Sequence, residues 1–222
     1  MTTTRIAFLS ALATVLSLFG GLFAGALIGN LVFDALPGHS VLNPDPVHIA
    51  LAALPALVGF LAGGALWGAL MGRMARATDR RRMALAGMLG FAPITITLGI
   101  ALSIIEPIAV ERLGAQFPIH RLFTLFFLPT AFLIAGVSAW ALGIGLRDWA
   151  LACSLFLRVG LTAAAAFLVM NVAMETAGWV VGAPHAVERF TMLTVMFVGN
   201  LGAALVGGAV LGVWLTRHAR RA

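Results

Sequence analysis

Six stretches of the chain are each long and apolar enough to cross a bilayer, and this constrains the fold more than any other feature. A spanning helix needs about 20 consecutive, mostly apolar residues. The stretches run at 6–33, 49–72, 84–105, 122–146, 149–174 and 190–215. The chain is 61% hydrophobic and 10% charged. An ordinary soluble domain is roughly 45–50% apolar and about 25% charged. A soluble core of this size could not hide so much apolar surface. The expected fold is therefore an all-α integral membrane protein, with six transmembrane helices in one domain over residues 1–222. The first stretch follows Arg5 but is too long for a secretory h-region and precedes no clear cleavage site. It is expected to remain as a span. Pro55, Pro93 and Pro129 interrupt three of the runs, which a bundle tolerates because neighbouring helices re-satisfy the freed carbonyls.

The basic residues give an orientation rather than a nucleic-acid face. The net charge is +6, with no lysine, so every basic residue apart from histidine is arginine. Ten lie on one set of span ends: Arg5, Arg73, Arg76, Arg80, Arg81, Arg82, Arg147, Arg217, Arg220 and Arg221. Only Arg112, Arg121 and Arg189 lie on the other, and Arg158 falls inside the fifth stretch. This asymmetry places both termini in the cytoplasm, in a plasma or inner membrane. Trp67, Trp140, Trp149 and Trp214 fall near the same boundary, where an aromatic belt is expected. Cys153 is a single cysteine and cannot close an intrachain disulfide.

An internal repeat is legible at about 70 residues. The even-numbered stretches begin at Val47-His48-Ile49, Ile119-His120-Arg121 and Val187-Glu188-Arg189, spaced 72 and 68 residues apart. Each is preceded by an acid 12 or 13 residues upstream: Asp34, Glu106 and Glu175. The first and fifth stretches also share an asparagine four residues before the acid, at Asn30 and Asn171. The pattern predicts three antiparallel hairpins, at approximately 5–72, 83–146 and 149–216. The alternative is the general likeness of Ala-, Leu- and Gly-rich helices.

Lipid offers no hydrophobic drive for helix association, so small residues must let backbones approach. They recur at Gly21, Gly25 and Gly29, at Gly64, Gly68 and Gly72, and at Gly199, Ala203, Gly207, Gly208 and Gly212. These ridges suit packing within the chain. They equally suit docking of another copy or of a partner membrane subunit.

The polar residues separate by end. Asp34, Asp45, Glu106, Glu111, Glu175 and Glu188 lie toward the end opposite the arginines, with His39, His48, His120 and His185. Asn30 and Asn171 stand one turn deeper than Asp34 and Glu175 on the same helix faces. An amide in hydrocarbon needs a partner, so each Asn-x-x-x-acid pair is expected to face inward. Arg158 lies about 13 Å into the fifth stretch at about 1.5 Å per residue. It can snorkel to the headgroups or face an anion.

Three readings compete. Asn30, Asp34, Glu106, Asn171, Glu175 and Arg158 could line an outer vestibule for a cation, a proton-coupled substrate or a small polar solute. His48, His120, His185 and Glu188, with Glu106 and Glu175, could hold a transition metal or haem and make the chain a membrane enzyme. The same groups could simply be solvated helix ends on a structural or assembly subunit of a membrane complex. No phosphate-binding loop, Gly-x-Ser-x-Gly or His-Glu-x-x-His motif is present. The favoured expectation is a small permease or channel-like protein, or the membrane subunit of a transporter.

Overall fold

A computed structural model of the chain describes residues 2–35, 46–100, 119–177 and 188–220. They form six helices and, among the described residues, no strand. The helices are α1 (Thr3–Ala35), α2 (Pro46–Met74), α3 (Arg80–Ile100), α4 (Ile119–Gly145), α5 (Trp149–Thr176) and α6 (Glu188–Ala219). All but α3 are long and apolar enough to cross a membrane on their described residues alone. The described part of α3 stops at Ile100 and opens on Arg80, Arg81 and Arg82. Large apolar side chains such as Phe8, Leu16, Leu31, Leu89 and Val169 are exposed on the outside of the bundle, as lipid contact requires.

The helices follow one another around the bundle in chain order, and α6 closes it by packing against α1, α4 and α5. One core cluster joins Phe60, Trp67, Met71, Met83, Phe91, Leu142, Leu155 and Leu211 across α2 to α6. A second joins Phe123, Phe127, Phe167 and Val195 between α4, α5 and α6. Trp67 does not face outward as a belt tryptophan would: it is 2% exposed and packs on Phe91 inside the bundle. Its face of α2 meets α1 and α3, so the indole is a core residue.

Backbone contact at glycines holds α1, α2 and α3 together. A methyl group on Gly21 would overlap the Gly59 carbonyl oxygen, and one on Gly59 would overlap that of Gly21. Gly63 stands against the Ser17 carbonyl in the same way, and Gly25 against Pro55 and Ala56. On the other side of α2, Gly68 meets the Met83 carbonyl, and Gly64 and Gly87 meet each other. The ridges at Gly21, Gly25, Gly64 and Gly68 are thus occupied by the chain's own helices. The facing glycines on α2 and α3 (Gly59, Gly63 and Gly87) complete the contact.

The two turns at the arginine-rich end are built alike. After α2, Arg76 takes φ 54°, its N–H donates to the Arg73 carbonyl at 3.2 Å, and the Ala77 N–H reaches back to the Gly72 carbonyl at 2.8 Å. After α4, Arg147 takes φ 62°, with Arg147 N–H to Ile144 at 3.0 Å and Asp148 N–H to Gly143 at 3.1 Å. Both are six-to-one helix stops with a left-handed residue, normally glycine, just beyond the helix. Each next helix then starts on an aspartate cap. Asp79 Oδ1 accepts from the Arg82 N–H at 2.9 Å, and Asp148 Oδ1 from the Leu151 N–H at 2.8 Å. The first cap explains why α3 begins four residues before its apolar stretch: Asp79 satisfies a first-turn donor outside the hydrocarbon.

Replacing Gly21 or Gly59 with alanine forces a methyl into a carbonyl and should cost about 1–3 kcal/mol as overpacking. A methyl on Gly20 would meet nothing within 4 Å. Gly20→Ala should be neutral or stabilising by up to about 1 kcal/mol through helix propensity. Thermal unfolding of the detergent-solubilised protein distinguishes the two: equal midpoints for all three variants would refute the contact.

Candidate functional site

The bundle axis holds a cavity of about 60 Å³, lined by residues of all six helices. Thr14 and Leu18 come from α1, Trp67 from α2, Phe91 from α3, Ala135 and Ser138 from α4, Val159 from α5, and Asn200 and Gly207 from α6. A cavity of about 10–15 Å³ already holds one water, so the space suits a solute of a few heavy atoms. Its walls are mostly apolar, with Thr14, Ser138 and Asn200 supplying the polar atoms.

Thr14 belongs to a stripe of hydroxyls on α1. Ser10, Thr14 and Ser17 are all buried, and their spacing of four and three residues sets them on one helix face. Ser10 Oγ donates across to the Gly208 carbonyl of α6 at 2.7 Å. Thr14 Oγ1 donates to the Ser10 carbonyl at 2.8 Å and accepts from Trp67 Nε1 at 2.9 Å. Gly208 and Gly212 make room for this stripe, since a methyl on either would run into Thr14 or Ser10. Ser138 Oγ donates to the Gly90 carbonyl at 2.9 Å, tying α4 to α3. The α1 stripe was not singled out by sequence reasoning. Its signal was available: three hydroxyls at helical spacing in an otherwise apolar stretch.

Further polar side chains lie between the cavity and the end opposite the arginines. Asn200 Nδ2 donates to the Met196 carbonyl at 2.8 Å. Its neighbour Gly199 lies against the amide of Asn171 and the ring of Phe167. Asn171 is 5% exposed, and its Nδ2 donates to the Phe167 carbonyl at 2.9 Å. Its Oδ1 is buried with no donor among the described residues. One turn further on, Glu175 Oε1 accepts from Arg121 Nε at 2.8 Å and also from Nη2, joining the ends of α5 and α4. The hydrogen bond from Arg121 and the charge of Glu175 raise the Arg121 pKa above its ordinary value. Arg121 lies outside the apolar part of α4, which begins at Phe123.

The residues expected to share a vestibule thus divide. Asn171 is buried and Glu175 is half-buried in the ion pair, whereas Asn30 and Asp34 are exposed on α1. The two Asn-x-x-x-acid pairs therefore occupy unlike environments. Arg158 is set apart from them, 17 residues or about 26 Å along α5 from Glu175. Its guanidinium lies 4.1 Å over the Trp214 ring on α6, with Arg217 also over that ring at 5.9 Å. Cation–π contact on an exposed face is what holds it. His48, His120 and Glu188 fall in the first turns of α2, α4 and α6, and their side chains lie outside the described residues. Glu106 and His185 lie wholly outside them. Among the described residues no group of three His, Cys, Asp or Glu side chains could hold a metal ion.

No family model, curated protein or solved structure matches the chain.

Thr14→Val keeps the shape of the side chain but leaves Trp67 Nε1 buried and unpaired, at an expected cost of about 1–3 kcal/mol. Trp67→Phe in that background should recover part of the loss. A double-mutant cycle by thermal unfolding that returns additive effects would remove the hydrogen bond from the account.

Proposed function

We propose that the chain is a membrane permease for small uncharged polar solutes, with its passage along the axis of the six-helix bundle. The supporting observation is the buried, unpartnered Asn171 Oδ1 between the Arg121–Glu175 pair and the axial cavity. A buried amide oxygen without a donor is costly and calls for an explanation. A solute that donates a hydrogen bond there supplies one. Asn171 and Glu175 then form the mouth of the passage. Thr14, Ser138 and Asn200 form its midpoint, where no described lining residue is titratable. That chemistry favours a neutral solute over a metal ion or proton.

The ten arginines at one end put both termini on the cytoplasmic side in this reading. The three-hairpin repeat belongs to it as well. The two left-handed arginines, Arg76 and Arg147, are 71 residues apart and sit in matching turns, which supports a period near 70.

Proteoliposomes containing the purified chain should shrink and re-swell faster than empty ones when challenged with urea or glycerol. Sodium permeability should stay at the empty-liposome level. Ala135→Leu, which fills the cavity, and Asn171→Leu, which removes the free acceptor, should each slow solute entry at least tenfold at equal folded yield. Entry no faster than into empty liposomes would sink the assignment.

A further inference from the structure

We infer that the arginine-rich end carries a binding site for a phosphate-bearing anion, separate from the axial passage. An open cavity of about 450 Å³ lies there, between the α2–α3 turn, the α4–α5 turn and the end of α6. Arg76, Arg82, Arg147 and His218 line it, with Asp79 as the lining acid. Three arginines thus line it from three separate segments. Among the described residues none has a carboxylate within ion-pair distance. The nearby acids are committed elsewhere. Asp79 Oδ1 caps α3. Asp148 Oδ1 caps α5, and its Oδ2 lies 3.8 Å from His218 Nδ1. Arg82 is fixed by donating from Nη2 to the Ile144 carbonyl at 3.1 Å, which bridges α3 to α4 across the cavity.

The turn geometry adds an independent observation. Arg76 and Arg147 both hold left-handed backbone conformations, at φ 54° and 62°, where glycine is the favoured residue. Both helix stops therefore use an arginine where glycine would be less strained, and both of these residues line the same cavity. Outlying backbone of this kind collects at ligand-binding positions, where the surroundings hold it. Guanidinium forks match phosphate oxygens in pairs. A phosphoryl group offers three or four oxygens to three forks, whereas a carboxylate offers two. The phosphate can come from a soluble phosphate compound or from an anionic lipid headgroup, because the cavity opens at the end of the bundle where both are available.

The turns supply a clean test, since glycine fits the left-handed positions better than arginine does. The double variant Arg76→Gly/Arg147→Gly should fold with an unchanged or higher thermal midpoint. Arg80→Gln/Arg81→Gln removes the same charge from residues that do not line the cavity. Each protein, in phosphatidylcholine nanodiscs, is titrated with inorganic pyrophosphate by calorimetry. In a parallel series, its thermal midpoint is followed as phosphatidylglycerol replaces phosphatidylcholine. Saturable pyrophosphate binding by the wild type, weakened at least tenfold in the glycine variant alone, supports the site with a soluble ligand. A rise in midpoint with phosphatidylglycerol that is absent only in the glycine variant supports it with a headgroup. No response to either probe, or equal loss in the two double variants, overturns the site.

Discussion

Everything in this bundle depends on helices coming close enough for backbone to touch backbone. Lipid is as apolar as leucine, so burying leucine between two spans gains little. Association must come from dispersion and short polar contacts, and both grow as the axes approach. The facing pairs Gly21 with Gly59 and Gly64 with Gly87 allow that approach on both sides of α2. On the α4–α5–α6 side Gly143 likewise stands against the Ala152 backbone, and Phe123, Phe127 and Phe167 add a cluster of rings between the helices. The ring closes at the Ser10–Gly208 hydrogen bond between α1 and α6.

That closure decides what the interior can contain. The residual volume lies on the axis, where Ala135 and Gly207 meet Thr14, Trp67 and Phe91. Thr14 of α1 reaches that volume beside Gly208, which offers no side chain to block it. Thr14, Ser10 and Ser138 each answer a helix-to-helix requirement, whereas the buried Ser17 Oγ finds no partner among the described residues. Thr14 serves Trp67, Ser10 serves α6, and Ser138 serves α3. The polar atoms of the cavity are thus structural groups first, held in fixed orientations by their partners. Fixed orientation is also what a selective passage needs.

The two ends of the bundle differ in how their charges are used. At the acidic end Arg121 and Glu175 neutralise each other across α4 and α5. At the other end the aspartates cap helices, and the described arginines there have no acid within ion-pair distance. Arg158 and Arg217 continue that excess along the outer face of α5 and α6, where Trp214 accepts both as a cation–π surface. The arginine-rich end carries net positive charge toward its surroundings.

The sequence by itself determined the class, the helices and their approximate limits, because the length and apolarity of a span are local properties set by the bilayer. It also marked the arginine-rich end and the small residues on α1, α2 and α6. It pointed to Asn171 and Glu175, since an amide one turn from an acid in an apolar helix is anomalous on its own. The tertiary structure decided which groups meet. Trp67 reads as a boundary tryptophan by position, yet it is a core donor because Thr14 faces it from α1. Asn30 and Asn171 read as equivalents, yet one is exposed and the other buried, because α6 covers α5 at Gly199. The arginine cavity needed both turns to fold back to the same place, and no spacing along one helix reports that. Periodicity gives the face a residue occupies; only the packing of the neighbouring helix says whether that face looks at lipid, at water or at another side chain.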